Sequence, residues 1–254
     1  MTDGASGQIQ SVETAFTIIE YIRDNEGAGV TDVAKALSVS KSTAHDHLST
    51  LTSLGYVVKA EKEYQIALQF LGLGHHARAR YSLYEAAKSE ADQLAQSTGE
   101  RCQVMVAENY RGIYIYQTAG EQAVQTDSHI GSEVELHSTA VGKSYLAHLP
   151  EDDLDIYFDT VGLPARTEHT ITDKETLLNE LKTIREQGYA LNLEERIAGM
   201  RAVGAPVLTD EGKTLGAISV SVPTTRIDDT IDESKLPEQI KRAARVITIK
   251  TTYS

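Results

Sequence analysis

The first seventy residues show helical hydrophobic spacing interrupted by short polar runs. Apolar residues recur every three or four positions over residues 12–23, which predicts an amphipathic first helix. A short second helix follows, and Ser40 can cap a third helix that Gly55 would end. Residues 56–66 have the pattern of two short strands joined by a tight polar loop. Three helices and a two-stranded wing together predict a winged helix-turn-helix over residues 1–70.

Helical periodicity resumes at residue 68 and runs as one continuous stretch to a break at residues 98–99. We place the domain junction in this stretch and assign residues 71–98 to connecting helices. Strand-like and helical segments then alternate: a hairpin at 102–119, helices near 136–150, 171–188 and 237–250, and strands at 201–208 and 214–222. This order predicts a mostly antiparallel sheet with helices packed on it. The fold class is therefore α+β, with a second domain over residues 99–254.

The net charge of the chain bears on its partners and on the salt concentration in which it functions. The formal net charge is -13, which argues against DNA binding because DNA affinity depends on Lys and Arg contacts to phosphates. Most acidic residues lie beyond residue 80, and acidic surfaces also suit proteins at high salt, so we keep a halophilic archaeon as a hypothesis for the source.

The single cysteine, Cys102, allows no internal disulfide. With neither a signal peptide nor a membrane span in the sequence, we predict a cytoplasmic protein without a membrane partner.

The third helix carries the side chains that would read DNA. In a winged helix-turn-helix this helix enters the major groove, where the residues of its first turns meet phosphates and base edges. Residues of the wing are candidates for backbone or minor-groove contacts. The predicted DNA-binding residues are Lys41, Ser42, Thr43 and His45 in the helix, with Lys62 and Tyr64 in the wing. The alternative is that this segment is only a well-capped polar helix face. His45 and His47 are two positions apart and cannot share a helix face, so they predict no metal site.

Five motifs in order resemble the IclR family of transcription regulators across nearly the whole chain. They are IQSVETAFTIIEYI, TDVAKALSVSKSTAHDHLSTLTSLGYV, LHSTAVGKSYLAHLP, GYALNLEERIAGMRAVGAPV and GAISVSVP. The family often has Arg where this chain has Asp46, and a carboxylate at that position would repel phosphate. The resemblance implies a homodimer through the N-terminal region, or a homotetramer that also uses the sensor domain. Either assembly would match a palindromic double-stranded DNA operator.

The resemblance also implies a GAF-like or profilin-like C-terminal domain that binds a small-molecule effector. The implied effector-binding residues are Ala140, Val141, Gly142, Asn192, Ala202, Ser219 and Ser221. The family's pocket commonly has an acidic residue where Asn192 stands and a thiol where Ala202 stands. These departures indicate an effector different from the one that typical members bind.

The residue pattern supports part of this pocket independently. Ser219 and Ser221 alternate with apolar residues, so both hydroxyls leave the same face of one strand. If that face is internal, the hydroxyls need hydrogen-bond partners, which a polar ligand can supply. Backbone amides at the start of the AVGK helix suit a carboxylate. The alternatives are solvated serines, small AVGK residues that only permit close packing, and a solvated charge run at residues 194–196.

Two other classes of function compete with a DNA-binding regulator. An enzyme is disfavoured because the sequence lacks a GxSxG elbow, a phosphate loop and a metal-spaced His and Glu pair. We therefore predict no catalytic residues, no metal and no cofactor. The remaining alternative is an adaptor whose winged helix docks a partner protein. The prediction is a sequence-specific transcription regulator, activator or repressor, controlled by a carboxylate-bearing effector.

Overall fold

The computed structural model describes residues 7–226 and 235–253, which divide into two compact units, Met1–Ala77 and Arg78–Ser254. Each unit has hydrophobic clusters of its own. None of the helices in the described ranges is long and apolar enough to cross a membrane.

The first unit is a winged helix-turn-helix. Its elements are α1 (Gln10–Asp24), α2 (Val30–Ala36), α3 (Lys41–Ser53), β1 (Val57–Ala60), β2 (Glu63–Ile66) and α4 (Gln69–Ala79), whose last two residues extend past the division between the units. The antiparallel pair β1 and β2 forms the wing. The core includes Ile18, Ile22, Val33 and Leu48, so the helical hydrophobic spacing in the sequence corresponds to one buried stripe on each helix.

The second unit is an α+β domain built on one six-stranded antiparallel sheet. Its elements are α5 (Ser82–Thr98), β3 (Arg101–Glu108), β4 (Arg111–Ala119), β5 (Glu133–Glu135), α6 (Ala140–Leu146), α7 (Glu151–Thr160), α8 (Lys174–Gln187), β6 (Ala190–Leu193), β7 (Met200–Leu208), β8 (Thr214–Pro223) and α9 (Leu236–Thr252). The strand order is β5-β4-β3-β8-β7-β6. The predicted fold class is confirmed.

The two faces of this sheet support different cores because side chains alternate along each strand. On β8, Ile218, Val220 and Val222 join α5 and α9 in one hydrophobic cluster. Ala217 joins α6, α7 and α8 in the other cluster. Ser219 and Ser221 point in the same direction as Ala217 and thus lie on the α6 side of the sheet.

The predicted connecting helices are present as α4 and α5, but the helical stretch from residue 68 to residue 98 is not continuous, because the chain is extended at Tyr81. Arg80 donates to Glu108 Oε1 at 3.0 Å, and the Tyr81 hydroxyl donates to the same oxygen. Contacts to the end of β3 thus fix the chain at the point where the helix stops. Helical periodicity cannot reveal this break, because Glu108 is 27 residues away from Tyr81.

Candidate DNA-reading helix and effector cavity

The N-terminal end of α3 is an ordered cluster of hydroxyl groups. Ser40 caps the helix, since its Oγ accepts a hydrogen bond from the backbone N–H of Thr43 at 3.0 Å. The same oxygen lies 2.7 Å from Ser42 Oγ and 2.8 Å from Thr43 Oγ1. Lys41, Ser42, Thr43 and His45 are all exposed, while Ala44 is buried in the core of the unit. The structure therefore presents all four predicted reading residues to solvent on the first turns of α3.

The two wing residues that were predicted to contact DNA differ in their exposure to solvent. Lys62 is exposed in the turn between β1 and β2. Tyr64 is only 4% exposed and belongs to the hydrophobic core, so the prediction that its side chain contacts DNA is wrong. Tyr64 alternates on β2 with the exposed Glu63 and Gln65, a pattern that could have shown that it points inward. Lys59, which pairs with Tyr64 across the wing, is exposed and is a candidate that the sequence reasoning missed.

Asp46 is also exposed on α3, and its Oδ1 lies 3.6 Å from His45 Nδ1. This carboxylate adds to a unit that is acidic as a whole, with five Lys and Arg against nine Asp and Glu in residues 1–77. Phosphate contacts must therefore come from a few cations, of which Lys41, Lys59 and Lys62 lie on α3 and the wing.

In the second unit, one cavity opens on the α6 side of the sheet. Six of the seven predicted effector residues line it: Ala140, Val141, Asn192, Ala202, Ser219 and Ser221. The other lining residues are Gln103, Tyr114, Thr126, Ser128, Thr139, Arg196, Ile197, Met200 and Arg201. The space between them is about 440 Å³, including its open mouth.

The seventh predicted residue, Gly142, does not line the cavity. Its backbone N–H donates to Thr139 Oγ1 at 3.1 Å, so this amide is not available to a carboxylate. A Cβ at position 142 would overlap the backbone of Leu136. Gly142 thus allows close packing of α6, which was the alternative that the sequence left open.

Polar side chains on the sheet face the cavity with spare hydrogen-bonding capacity. The Ser221 hydroxyl donates to Gln103 Oε1 at 3.4 Å, and Gln103 Nε2 donates to Ser128 Oγ at 3.0 Å. The hydroxyl of the buried Ser219 makes no hydrogen bond within the described part of the chain. Burial raises the pKa of Tyr114 to about 12, which keeps its phenol protonated. Ser219 and Tyr114 can therefore both donate to an acceptor in the cavity.

Asn192 forms a wall of the cavity but uses both ends of its amide elsewhere. Its Nδ2 donates to the carbonyl of Ser138, and its Oδ1 accepts from the backbone N–H of Glu195 at 3.1 Å. The side chain thereby joins β6 to the segment before α6. Asn192 holds the shape of the cavity in addition to facing it.

The charge run at residues 194–196, for which a solvated surface was the alternative interpretation, is held by ion pairs and hydrogen bonds. Glu195 is 4% exposed, and its Oε1 accepts from Lys143 Nζ at 2.6 Å. Lys143, 1% exposed, also donates to Glu180 on α8 at 3.2 Å. Burial raises the pKa of Glu195 above its ordinary value, and the neighbouring Lys143 opposes that rise. The run thus forms a buried ion pair behind the cavity wall, a structure that no local pattern in the sequence indicates.

The remaining two residues of this run are also fixed. Glu194 Oε2 accepts from the backbone N–H of Gly199 at 2.8 Å, which closes the loop between β6 and β7. Arg196 donates two hydrogen bonds to the carboxylate of Asp127, at 3.0 and 3.1 Å. Arg196 therefore brings a guanidinium to the cavity wall.

No group of three His, Cys, Asp or Glu side chains suited to a metal ion occurs in residues 7–226 and 235–253. Cys102 is buried on the opposite face of the sheet, where burial raises the pKa of its thiol far above the ordinary range. Its thiol is therefore unreactive and lies outside the cavity.

Comparison with known protein families identifies the domain type of both units. A model of the IclR helix-turn-helix domain matches residues 11–61, and a model of the bacterial transcriptional regulator IclR C-terminal domain matches residues 75–249. The chain belongs to the IclR family of transcription regulators. This confirms the family resemblance, the DNA-binding helix-turn-helix and the role in transcription regulation.

Similar IclR-family proteins align along almost their entire length. The probable HTH-type transcriptional regulator ArcR of Halobacterium salinarum is 31% identical, over 98% of this chain and 96% of that protein. The HTH-type transcriptional regulator XynR of Escherichia coli is 32% identical, over 96% of this chain and 98% of that protein. The crystal structure of Thermotoga maritima IclR has a TM-score of 0.80 at 29% identity and covers 97% of this chain and all of that one. These relatives are regulators, and the family combines a helix-turn-helix with an effector-binding domain.

Proposed function

We propose that this regulator binds a specific DNA operator through α3 and the wing, and that a small carboxylate-bearing effector in the cavity of the second unit controls that binding. The observation that carries the effector class is the pair of guanidinium groups, Arg196 and Arg201, on the wall of a cavity within a strongly acidic chain. Arginine favours carboxylates because its planar donors can form two parallel hydrogen bonds. A homodimer or homotetramer on a palindromic operator is part of this proposal.

The DNA half of the proposal depends on the exposed hydroxyls and imidazole at the start of α3. The variant Ser42→Ala/Thr43→Ala/His45→Ala should lose preference for the operator over random DNA, since each good base contact contributes about 1–3 kcal/mol of discrimination. Lys41→Gln should mainly reduce the salt dependence of binding, because a phosphate contact carries no sequence information. A gel shift against operator and scrambled duplexes measures both. An unchanged operator preference in the triple variant would show that α3 is not the reader.

The adaptor alternative predicts a different response to salt. A DNA-binding regulator loses affinity as salt rises and retains a sequence preference, whereas an adaptor shows neither behaviour towards DNA. The same gel shifts, repeated over a range of KCl concentrations, distinguish the two functions.

The effector half can be tested by thermal shift with sugar acids, keto acids and aromatic acids. A bound ligand at a hundredfold its dissociation constant stabilises the protein by about 2.7 kcal/mol. With the acid that binds, Ser219→Ala should weaken affinity by roughly ten- to a hundredfold, the effect of losing one hydrogen bond to a charged group. Asn192→Asp should also weaken it, because a new carboxylate on the cavity wall repels an anion. Unchanged calorimetric affinity in both variants would exclude this cavity as the effector site.

A further inference from the structure

One side of the cavity is formed by the chain between β4 and β5. We call residues 120–132 the cover segment. Thr126 and Ser128 of this segment line the cavity, opposite β7 and β8. The position of the cover segment therefore determines how far the cavity is open.

Side chains from three parts of the chain hold the cover segment, and one of them is Arg226, which donates to the carbonyl of Gln122. From β3, Arg101 donates to the carbonyl of Val124 at 3.0 and 3.3 Å, and Gln103 donates to Ser128. From the loop between β6 and β7, Arg196 holds the carboxylate of Asp127 through two hydrogen bonds. The Arg196–Asp127 pair thus ties the cover segment across the mouth of the cavity to the opposite wall.

The two members of this pair differ in their exposure to water. The side chain of Arg196 is 20% exposed and lines the cavity, whereas that of Asp127 is 68% exposed and does not line it. If the pair separates, Asp127 can be hydrated at once. Arg196 needs another acceptor, because a guanidinium largely withdrawn from water is costly to leave unpaired.

A carboxylate in the cavity would be that acceptor. Asp127 is the exposed member of the pair and water can replace Arg196 as its partner, so Asp127 is easily displaced. A ligand carboxylate can take the same two parallel hydrogen bonds from the side of the cavity. We propose that Arg196 receives the effector's carboxylate in exchange for Asp127, which releases the cover segment from the loop between β6 and β7. This inference rests on the effector class proposed above.

Hydrogen exchange on the full-length chain tests the pair without any ligand. Backbone N–H groups of His129, Gly131 and Ser132 are hydrogen-bonded within or next to the cover segment and report on its opening. Asp127→Asn should speed their exchange by up to about fivefold, the equivalent of one exposed ion pair. The matched control is Asp155→Asn, since Asp155 is also 68% exposed and pairs with Lys174 at 2.8 Å. Equal hydrogen-exchange rates in Asp127→Asn and Asp155→Asn would show that the Arg196–Asp127 pair does not hold the cover segment.

Titration with acids and their amides tests the exchange of partners. The probes are pyruvate and benzoate, with pyruvamide and benzamide as neutral counterparts. Arg196→Gln should weaken acid binding by roughly ten- to a hundredfold and weaken amide binding much less, because a neutral amide has only one acceptor oxygen and no charge. Arg196→Lys should restore part of the loss, because lysine keeps the charge but not the fork of donors. Asp127→Asn should bind the acid up to about fivefold more tightly than the wild type.

The decisive result is hydrogen exchange with the acid bound. We expect the wild type with acid to match the acid-free Asp127→Asn variant in the cover segment, and the acid to add no further change to that variant. Slower hydrogen exchange in the acid-bound wild type would mean that the ligand and Asp127 bind the Arg196 guanidinium together. That result would overturn the proposal that the ligand replaces Asp127. If neither acid binds the wild type, the effector class fails together with this proposal. Operator binding measured in parallel then shows whether the DNA half still stands.

Discussion

His137 lies fully buried beside α7 and is hydrogen-bonded at both ring nitrogens. Its Nε2 lies 3.0 Å from the carbonyl of Pro164, which can only accept, so Nε2 carries a proton. Its Nδ1 lies 3.2 Å from the Tyr157 hydroxyl, which also accepts from the backbone N–H of His137 at 3.1 Å. The hydroxyl therefore donates to Nδ1, and this arrangement requires a neutral ring. Burial accordingly lowers the pKa of His137 below its ordinary value.

This shift predicts that the second unit loses stability in mild acid. A histidine with a lowered folded pKa binds fewer protons folded than unfolded, so stability falls as the pH drops below about 6.5. His148, whose pKa burial also lowers, contributes in the same direction. His137→Gln should reduce the loss of melting temperature between about pH 7 and pH 5, and the exposed His169→Gln is the control. Identical pH profiles for wild type and His137→Gln would contradict this account.

The burial of Glu195 and of Tyr64 depends on the elements that pack around each side chain. A carboxylate in a run of charged residues is normally solvated, yet Glu195 is buried because Lys143, 52 positions away, supplies its counter-charge. Tyr64 lies in a polar wing, yet it is buried because α1 packs against β2, the strand that carries it. The local sequence leaves the burial of Glu195 open, whereas the alternation of Tyr64 with Glu63 and Gln65 indicates that Tyr64 points inward.

Helix α6 depends on two glycines for its position. Gly142 faces the backbone of Leu136, and a Cβ at Gly204 on β7 would lie only 2.7 Å from the carbonyl carbon of Ala140. The helix thus packs at backbone distance on both sides. Because Ala140 and Val141 begin this helix, the same packing sets the cavity wall.

The packing of α6 predicts that Gly142→Ala destabilises the second unit by about 1–3 kcal/mol, the usual cost of overpacking. Gly72→Ala in α4 is the control, because nothing lies within 4 Å of an added Cβ there. That change should be neutral or stabilise by up to about 1 kcal/mol. Denaturant unfolding measures both variants. Equal stability of Gly142→Ala and wild type would show that α6 can shift freely.

In the whole molecule, each unit has its own hydrophobic core, and the division between the units lies after Ala77. The guanidinium carbon of Arg78 lies 4.0 Å from the ring centroid of Tyr84, so a cut at the division after Ala77 keeps this contact within the C-terminal fragment. We expect fragment 78–254 to bind the effector with wild-type affinity. Fragment 1–77 should bind DNA without responding to the effector, whereas in the full chain a coupling of about 1–3 kcal/mol is typical. Calorimetry and gel shifts measure the two fragments. An isolated head that kept the full response would refute this division.

The charge of the whole chain predicts its response to salt. A net charge of -13 repels itself in the folded state, and salt screens that repulsion. The melting temperature should therefore rise with KCl, and more than it rises with sucrose, which carries no charge. A melting temperature that falls with KCl would remove the physical basis of the halophilic hypothesis.

The features that depend on neighbours within a few residues could be predicted from the amino-acid sequence alone. Helical spacing gave three helices of the head, alternation gave the long strands of the sheet, and the ordered motifs indicated the family. The same alternation put Ser219 and Ser221 on one face. Four other features depend on contacts between distant segments: the break before α5, the close packing of Gly142, the burial of Glu195 and the ion pair between Arg196 and Asp127. The last pair spans 69 positions. Local periodicity carries no signal for such contacts, because they arise only when the sheet brings distant segments together.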